Sequence, residues 1–203
     1  NILSAQVLNR HQDNLDLLFV DGNSGAKKVV LNEKDKAYVD VTDNLTFLKD
    51  NSFIWTSEKD GYNHIYHYDK SGKLKNQVTK GKWEVTSYYG FDEKNKKIYY
   101  QSVENGSINR DVYSISIDGK SKKRLSLKIG TNNATFSPNF QYFINTHSSA
   151  TSAPYYSLND SKTSKEVKKI QSNEVVEEKL AKYNVTPKEF STITTEKGHV
   201  LNT

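Results

Sequence analysis

Residues 55–69 read Trp-Thr-Ser-Glu-Lys-Asp-Gly-Tyr-Asn-His-Ile-Tyr-His-Tyr-Asp, and the rest of the chain repeats around this stretch. Phe53, Ile54 and Trp55 are apolar and aromatic, so they predict a largely buried strand. Ser57, Glu58, Lys59, Asp60 and Gly61 are polar turn formers, and Gly61 is free to take positive φ. Ile65, Tyr66 and Tyr68 resume the aromatic and β-branched pattern, which stops at Asp69, and Gly72-Lys73 opens a second turn before residues 74–79. An antiparallel meander is expected. Glu58 and Asp60 flank Gly61, so their expected role is to accept local backbone N–H bonds, not to work as a carboxylate pair.

Upstream, residues 2–8, 15–20 and 27–31 read as three strands, the last two joined by the hairpin turn Asp21-Gly-Asn-Ser-Gly25. A new unit begins near Tyr38 and runs through Phe47, Trp55, Tyr66, Asp69 and Val78. Phe91, Tyr100, Tyr113, Asp118 and Leu125 repeat the order, and Phe136, Tyr142-Phe-Ile144, Tyr156, Asn159 and Val167 repeat it again. Phe47 to Phe91 is 44 residues and Phe91 to Phe136 is 45. Phe19, Tyr66, Tyr113 and Tyr156 follow at intervals of 47, 47 and 43. A four-stranded repeat of about 40 to 50 residues is the signature of β-propeller blades. A sandwich need not restore the same strand order with aromatics and turns in matching places. The expected fold is all-β, a partial β-propeller of about 3.5–4 four-stranded antiparallel blades. Residues 1–33 supply the last strands of one blade, and 34–81, 82–130 and 131–171 supply whole blades.

After Ile170 the character changes. Ser172-Asn173 is placed to cap a helix with Glu174, Glu177 and Glu178 early and Lys179 and Lys182 late, matching the helix dipole. Val176, Leu180 and Tyr183 give it one apolar face, and Asn184 and Pro187 are expected to end it. Residues 188–194 alternate as a strand, Glu196-Lys-Gly198 turns, and residues 199–201 begin another strand, a truncated hairpin that implies a continuing polypeptide.

The 203 residues contain neither Cys nor Met, which excludes a disulfide framework and a thiolate metal site and points to a fragment, a processed chain or replaced Met. No run approaches the roughly 20 apolar residues of a membrane span. The net charge is +5, but the lysines are spread along turns and outer strands and Arg occurs only at 10, 110 and 124. Phosphate reading usually needs more of arginine's bidentate forks, so nucleic acid is disfavoured as a partner.

The five histidines are His11, His64, His67, His147 and His199. His64 and His67 fall three apart on a predicted strand, on opposite faces, and cannot share a metal there. Surface or packing roles are expected, with no metal and no cofactor. Gly22-Asn-Ser-Gly25 lacks the spacing and strand-to-helix context of a nucleophile elbow, and His147-Ser-Ser149 has no acidic partner in view. No catalytic constellation is expected in this chain.

Three blocks nevertheless form a pattern: Trp55-Thr-Ser-Glu58-x-Asp60-Gly61-Tyr62-x-His64-Ile-Tyr66, Thr79-Lys-Gly-x-Trp83-Glu84-Val85, and Phe136-Ser-Pro138. Their order and spacing resemble the later propeller blades of the dipeptidyl peptidase IV family, serine exopeptidases of the prolyl oligopeptidase type. The Lys- and Asn-rich wording is most similar to bacterial members, of Bacteroidetes type. The resemblance implies an eight-bladed propeller over an α/β-hydrolase domain with a Ser-Asp-His triad, and a periplasmic, cell-envelope or secreted location. It implies a parent that removes N-terminal dipeptides after Pro or Ala, with peptides and the hydrolase domain as partners. Residues 172–203 would be the linker helix and the start of that domain. The triad would lie beyond Thr203, and the Glu pair that holds the substrate's amino terminus before Asn1; Glu177-Glu178 is not that pair. Residues 38–44 are expected to open a blade's inner strand, which makes Tyr38 and Asp40 the candidate substrate-facing residues by position alone. The rival reading is a non-catalytic propeller used as a binding or envelope-scaffold module, since folds host many functions. Unpaired terminal blade faces are expected to leave an open arc that self-associates, a possible homo-oligomer.

Overall fold

The computed structural model describes residues 1–183, 186 and 188–203. It is built almost wholly of antiparallel strands. The first sheet has three, β1 (Ile2–Leu8), β2 (Asn14–Asp21) and β3 (Lys27–Lys34). The second has four, β4 (Thr46–Phe47), β5 (Phe53–Ser57), β6 (His64–Tyr68) and β7 (Leu74–Gln77). The third contains β8 (Val85–Asp92), β9 (Lys97–Ser102), β10 (Asp111–Ser116) and β11 (Lys123–Arg124). The fourth contains β12 (Thr131–Phe136), β13 (Tyr142–Ser149), β14 (Ser152–Asp160) and β15 (Glu166–Gln171). In every sheet the strands lie in chain order, so each is a meander and a blade of a propeller.

The blades pack face to face through three separate cores. Side chains alternate between the faces of a strand. Phe53 and Trp55 of β5 therefore join Leu15, Leu17 and Phe19 of the first sheet, while Ile54 points the other way to Ile98 and Tyr100. Tyr99 in turn leaves that core for Val112, Ala134 and Phe143 of the next. This double coverage is why β5 and β6 are buried at every residue and show no polar face. Phe19, Tyr66, Tyr113 and Tyr156 all fall on the third-strand position of their blades. Trp55 does not share that position; it sits directly across from Tyr66, as Tyr100 does from Tyr113 and Thr146 from Tyr156.

The structure departs from expectation at residues 38–44, at both ends of the helix and in the last hairpin. Residues 38–44 form no strand, and the blade's first strand is only Thr46–Phe47. The backbone of this segment is satisfied elsewhere: Val39 N–H donates to Gln12 C=O at 2.7 Å, and Thr42 C=O accepts from Gln6 Nε2 at 2.7 Å. The helix α1 (Glu174–Leu180) exists, but Asn173 does not cap it through its side chain. Asn173 lies at φ 57°, and its Nδ2 donates instead to Pro154 C=O at 2.6 Å, tying the helix start to β14. Lys182 and Tyr183 fall beyond the helix, none of its residues is buried, and Asn184 and Pro187 lie outside the described residues. The last hairpin is shorter than expected, β16 (Thr192–Thr194) paired with β17 (Val200–Asn202), Ile193 opposite Leu201.

Candidate functional site

Strand parity decides which loops share an end of the molecule. Neighbouring strands are antiparallel, so the links between blades emerge at the same end as the loops joining second to third strands. Hydrogen bonds tie these two loop sets together at each blade junction. Val39 N–H donates to Gln12 C=O (2.7 Å), Val85 N–H to Asn63 C=O (2.8 Å) and Asn132 N–H to Arg110 C=O (2.9 Å). We call this end the clasp face. The chain leaves β15 toward it, and Asn202 of the last hairpin donates to Ser107 Oγ at 2.6 Å there.

A cleft of about 210 Å³ opens on the clasp face between the first two blades. Its walls include Glu33, Asp35, Tyr38, Asp40, Trp55 and Glu58. Trp55 is 1 % exposed, and its indole N–H donates to Glu33 Oε1 at 3.2 Å; Ser57 Oγ donates to Glu33 Oε2 at 2.7 Å. Glu33 is thus fixed in the wall. Asp35 accepts the N–H of Ala37 at 2.8 Å and turns the chain toward Tyr38, whose hydroxyl donates to Asp40 Oδ1 at 3.3 Å. The Asp40 charge, and then partial burial, push the Tyr38 phenol up from its ordinary value. Partial burial, followed by repulsion from Asp40, Glu84 and Asp35, raises the Glu58 carboxyl. Lys59 is drawn off to one side: its Nζ donates to Tyr68 Oη at 2.6 Å and lies 3.9 Å over the Tyr66 ring. Four carboxylates, Glu33, Asp35, Asp40 and Glu58, outnumber the two lysines of the lining, Lys34 and Lys59, so the cleft carries net negative charge, and an ammonium group there would relieve the carboxylates' repulsion and hydrogen-bond to them.

The structure sorts the residues singled out in the sequence. Tyr38, Asp40 and Glu58 come together in the cleft, although Tyr38 and Asp40 do so from a loop. Asp60 accepts the Tyr62 N–H at 3.4 Å and a bond from Gln77, as a turn residue should. Glu58 does not; only its backbone C=O joins the turn, accepting from Gly61 N–H at 2.7 Å, and Gly61 takes φ 96°. Trp83 packs away from the cleft, edge-on to His64 at 4.9 Å and stacked on Tyr100 at 6.5 Å. A Cβ on Gly81 would sit 2.2 Å from Trp83 Nε1, so the Gly in the Thr-Lys-Gly-x-Trp block is sterically required. Glu84 is exposed, and its C=O accepts from Val103 N–H at 3.2 Å. The buried histidines are held in packing: His64 by Thr79 Oγ1 and Gly81 C=O (both 3.1 Å), His67 by Ser52 Oγ (2.9 Å), His147 by Ile129 C=O (2.9 Å). Ser24 is bound to Asp21 at 2.9 Å in its hairpin turn. Sequence reasoning missed Glu33. The available signal was Trp55 itself, because a buried indole N–H demands an acceptor.

The family described as the dipeptidyl peptidase IV (DPP IV) N-terminal region matches residues 1–154. The chain belongs to this family. Dipeptidyl peptidase 4 of Trichophyton rubrum is 31% identical over 209 residues, covering 98% of this chain and 27% of its own length. The crystal structure of Porphyromonas gingivalis dipeptidyl peptidase 4 superposes with a TM-score of 0.92 at 39% identity, over 99% of this chain and 29% of that one. A crystal structure of a Bacteroides ovatus protein, at 23% identity and TM-score 0.81 over 99% of this chain and 31% of that one, shares the fold. The chain thus spans about 27% of the length of the curated relatives it matches. As a member of the dipeptidyl peptidase IV N-terminal region family, it carries the family's propeller blades, in agreement with the sheets described above.

Proposed function

We propose that this chain is propeller from a dipeptidyl peptidase IV-like serine exopeptidase, gating and positioning peptides for an α/β-hydrolase domain in the same polypeptide. In this reading residues 1–171 are propeller, and 172–203 are the linker helix and the first hairpin of the hydrolase domain. The parent releases dipeptides after Pro or Ala in the periplasm, at the cell envelope or outside the cell. This chain contributes no bond-breaking group. Tyr38 and Asp40 face the peptide, and the acidic cleft draws its positively charged end toward the chamber between the domains.

One observation carries the reading: the cleft opens on the clasp face, the same face toward which the chain leaves β15 and on which its last hairpin touches Ser107. The test is to assay the complete protein and the 203-residue chain on Gly-Pro and Ala-Pro chromogenic substrates. The complete protein turns them over and takes up a fluorophosphonate at one Ser, while the chain alone gives the blank rate. A complete protein without either property would refute the reading.

A further inference from the structure

The hairpin from the third to the fourth strand of a blade has one composition, written four times: Asp21-Gly-Asn-Ser-Gly-Ala-Lys-Lys28, Asp69-Lys-Ser-Gly-Lys73, Asp118-Gly-Lys-Ser-Lys-Lys123 and Asp160-Ser-Lys-Thr-Ser-Lys165. Each opens on Asp and then carries lysines, nine in all against four carboxylates. The Asp folds the turn. Asp21 Oδ1 accepts the Ser24 N–H at 2.7 Å, Asp69 Oδ1 that of Ser71 at 2.8 Å, Asp118 Oδ1 that of Lys120 at 3.0 Å and Asp160 Oδ1 that of Thr163 at 2.7 Å. Among the described residues none of these four carboxylates is ion-paired, and of the nine lysines only Lys122 is, with Glu104. Turns of neighbouring blades adjoin: Lys28 Nζ donates to Ser71 C=O at 3.5 Å, and Lys123 Nζ to Lys162 C=O at 2.6 Å. A Cβ on Gly72 would lie 1.9 Å from the Val30 carbonyl oxygen, so that turn leans directly on the preceding blade. By strand parity these turns lie at the end opposite the clasp face. Equivalent positions of successive blades stand at one level around a propeller. Lysines scattered along the sequence therefore form one basic rim.

We propose that this rim rests on the surface of a membrane rich in anionic phospholipid. Three observations select that partner. Every cation of the rim is a lysine, a hydrated point charge, while the three arginines, whose forks read individual phosphates, lie outside these turns. The lysines recur at one level, as contact with a plane of charge requires. The turns contain no apolar side chain larger than that of Ala26, so nothing in them enters hydrocarbon and the attachment is electrostatic. Each lysine held near such a surface strengthens binding by roughly fivefold. The acidic cleft stands at the other end, so a protein seated on its rim turns the cleft away from the anionic surface. The proposal is independent of what the cleft binds.

The test floats the complete protein with vesicles of phosphatidylcholine containing about 30% phosphatidylglycerol, and with phosphatidylcholine alone, at about 0.1 M salt. A rim variant, Lys70→Gln with Lys120→Gln and Lys162→Gln, is compared with one of equal charge away from the rim, Lys36→Gln with Lys80→Gln and Lys82→Gln. All six side chains are exposed, and melting temperatures equal to that of the unaltered protein confirm that both variants fold. The unaltered protein should float with the anionic vesicles only. Partitioning should weaken by about 100-fold in the rim variant and by less than about threefold in the other, whose lysines lie beyond a Debye length of the membrane. No flotation with anionic vesicles overturns the proposal. Equal weakening in the two variants also overturns it, because net charge alone would then attract the protein. Retention on dextran sulfate without vesicle binding assigns the rim to a soluble acidic polymer and overturns the membrane.

Discussion

Asn63 and Val85 hold each other twice across a blade junction: Val85 N–H donates to Asn63 C=O at 2.8 Å, and Asn63 Nδ2 donates back to Val85 C=O at 2.8 Å. Val85 is buried, so its carbonyl has no ready access to water if the side-chain donor is removed. Asn63→Ala should cost about 1–3 kcal/mol, the penalty for stranding a buried acceptor. Urea unfolding would show it as a lower midpoint with unchanged slope. No change in midpoint would mean that the clasp contributes nothing to blade packing.

Trp55 offers a larger effect by a different route. It fills the core between the first two blades opposite Tyr66, and its indole N–H satisfies Glu33. Truncation to Ala removes the contacts and opens a cavity, a loss of about 3–5 kcal/mol. Leu127→Ala, at a side chain 70% exposed, should stay within about 0.5 kcal/mol in the 203-residue chain. Thermal melting of the two variants side by side checks the contrast.

The blades were legible in the sequence for a physical reason. A blade's middle strands are covered on both faces, so β5, β6, β9 and β10 carry aromatic or β-branched residues on both faces, and the turns joining β5 to β6 and β9 to β10 take positive φ at Gly61 and Gly106. The cleft was only half legible. Tyr38 and Asp40 were placed by blade order, but their segment has no periodicity to read, because its backbone bonds go to Gln6 and Gln12 on another blade. Glu58 looked like a turn residue, and nothing local shows that its carboxyl leaves the turn for the cleft. Asn173 looked like a helix cap; its tie to Pro154, 19 residues away, is a tertiary choice that propensity does not report.

Acid should weaken the fold through His67. Its ring is buried against Ser52, and burial, then the nearby Lys75, hold its pKa below the ordinary 6.5, with Asp50 opposing. A folded-state pKa below the unfolded one gives stability that is present above the ordinary value and lost as pH falls through the folded one. The denaturation midpoint should therefore fall between neutral pH and the onset of carboxylate titration. His67→Gln should flatten that slope. An unchanged slope in the variant would remove His67 from the account.

The outward face of the first blade should drive self-association. Leu3 pairs with Val20, and Ala5 with Leu18, which in turn pairs with Val29, so these five side chains share the face opposite Phe19 and Leu17. Leu3 is 64% and Val29 48% exposed. A contiguous apolar sheet face of this kind seldom stays bare in water. Light scattering should show apparent mass rising with concentration for the 203-residue chain, and Leu18→Lys should abolish the rise. A strictly monomeric chain would show that this face needs no partner.

The most direct test of the central claim is steady-state kinetics on the complete protein with Tyr38→Phe and Asp40→Asn. If the cleft positions peptides and takes no part in cleavage, both variants should raise KM for peptide substrates while leaving kcat unchanged, the pattern of lost uniform binding. The Asp40→Asn effect should also shrink at high salt, because the attraction it removes is electrostatic. Unchanged KM in both variants, or a fall in kcat alone, would contradict the claim that this cleft faces the substrate.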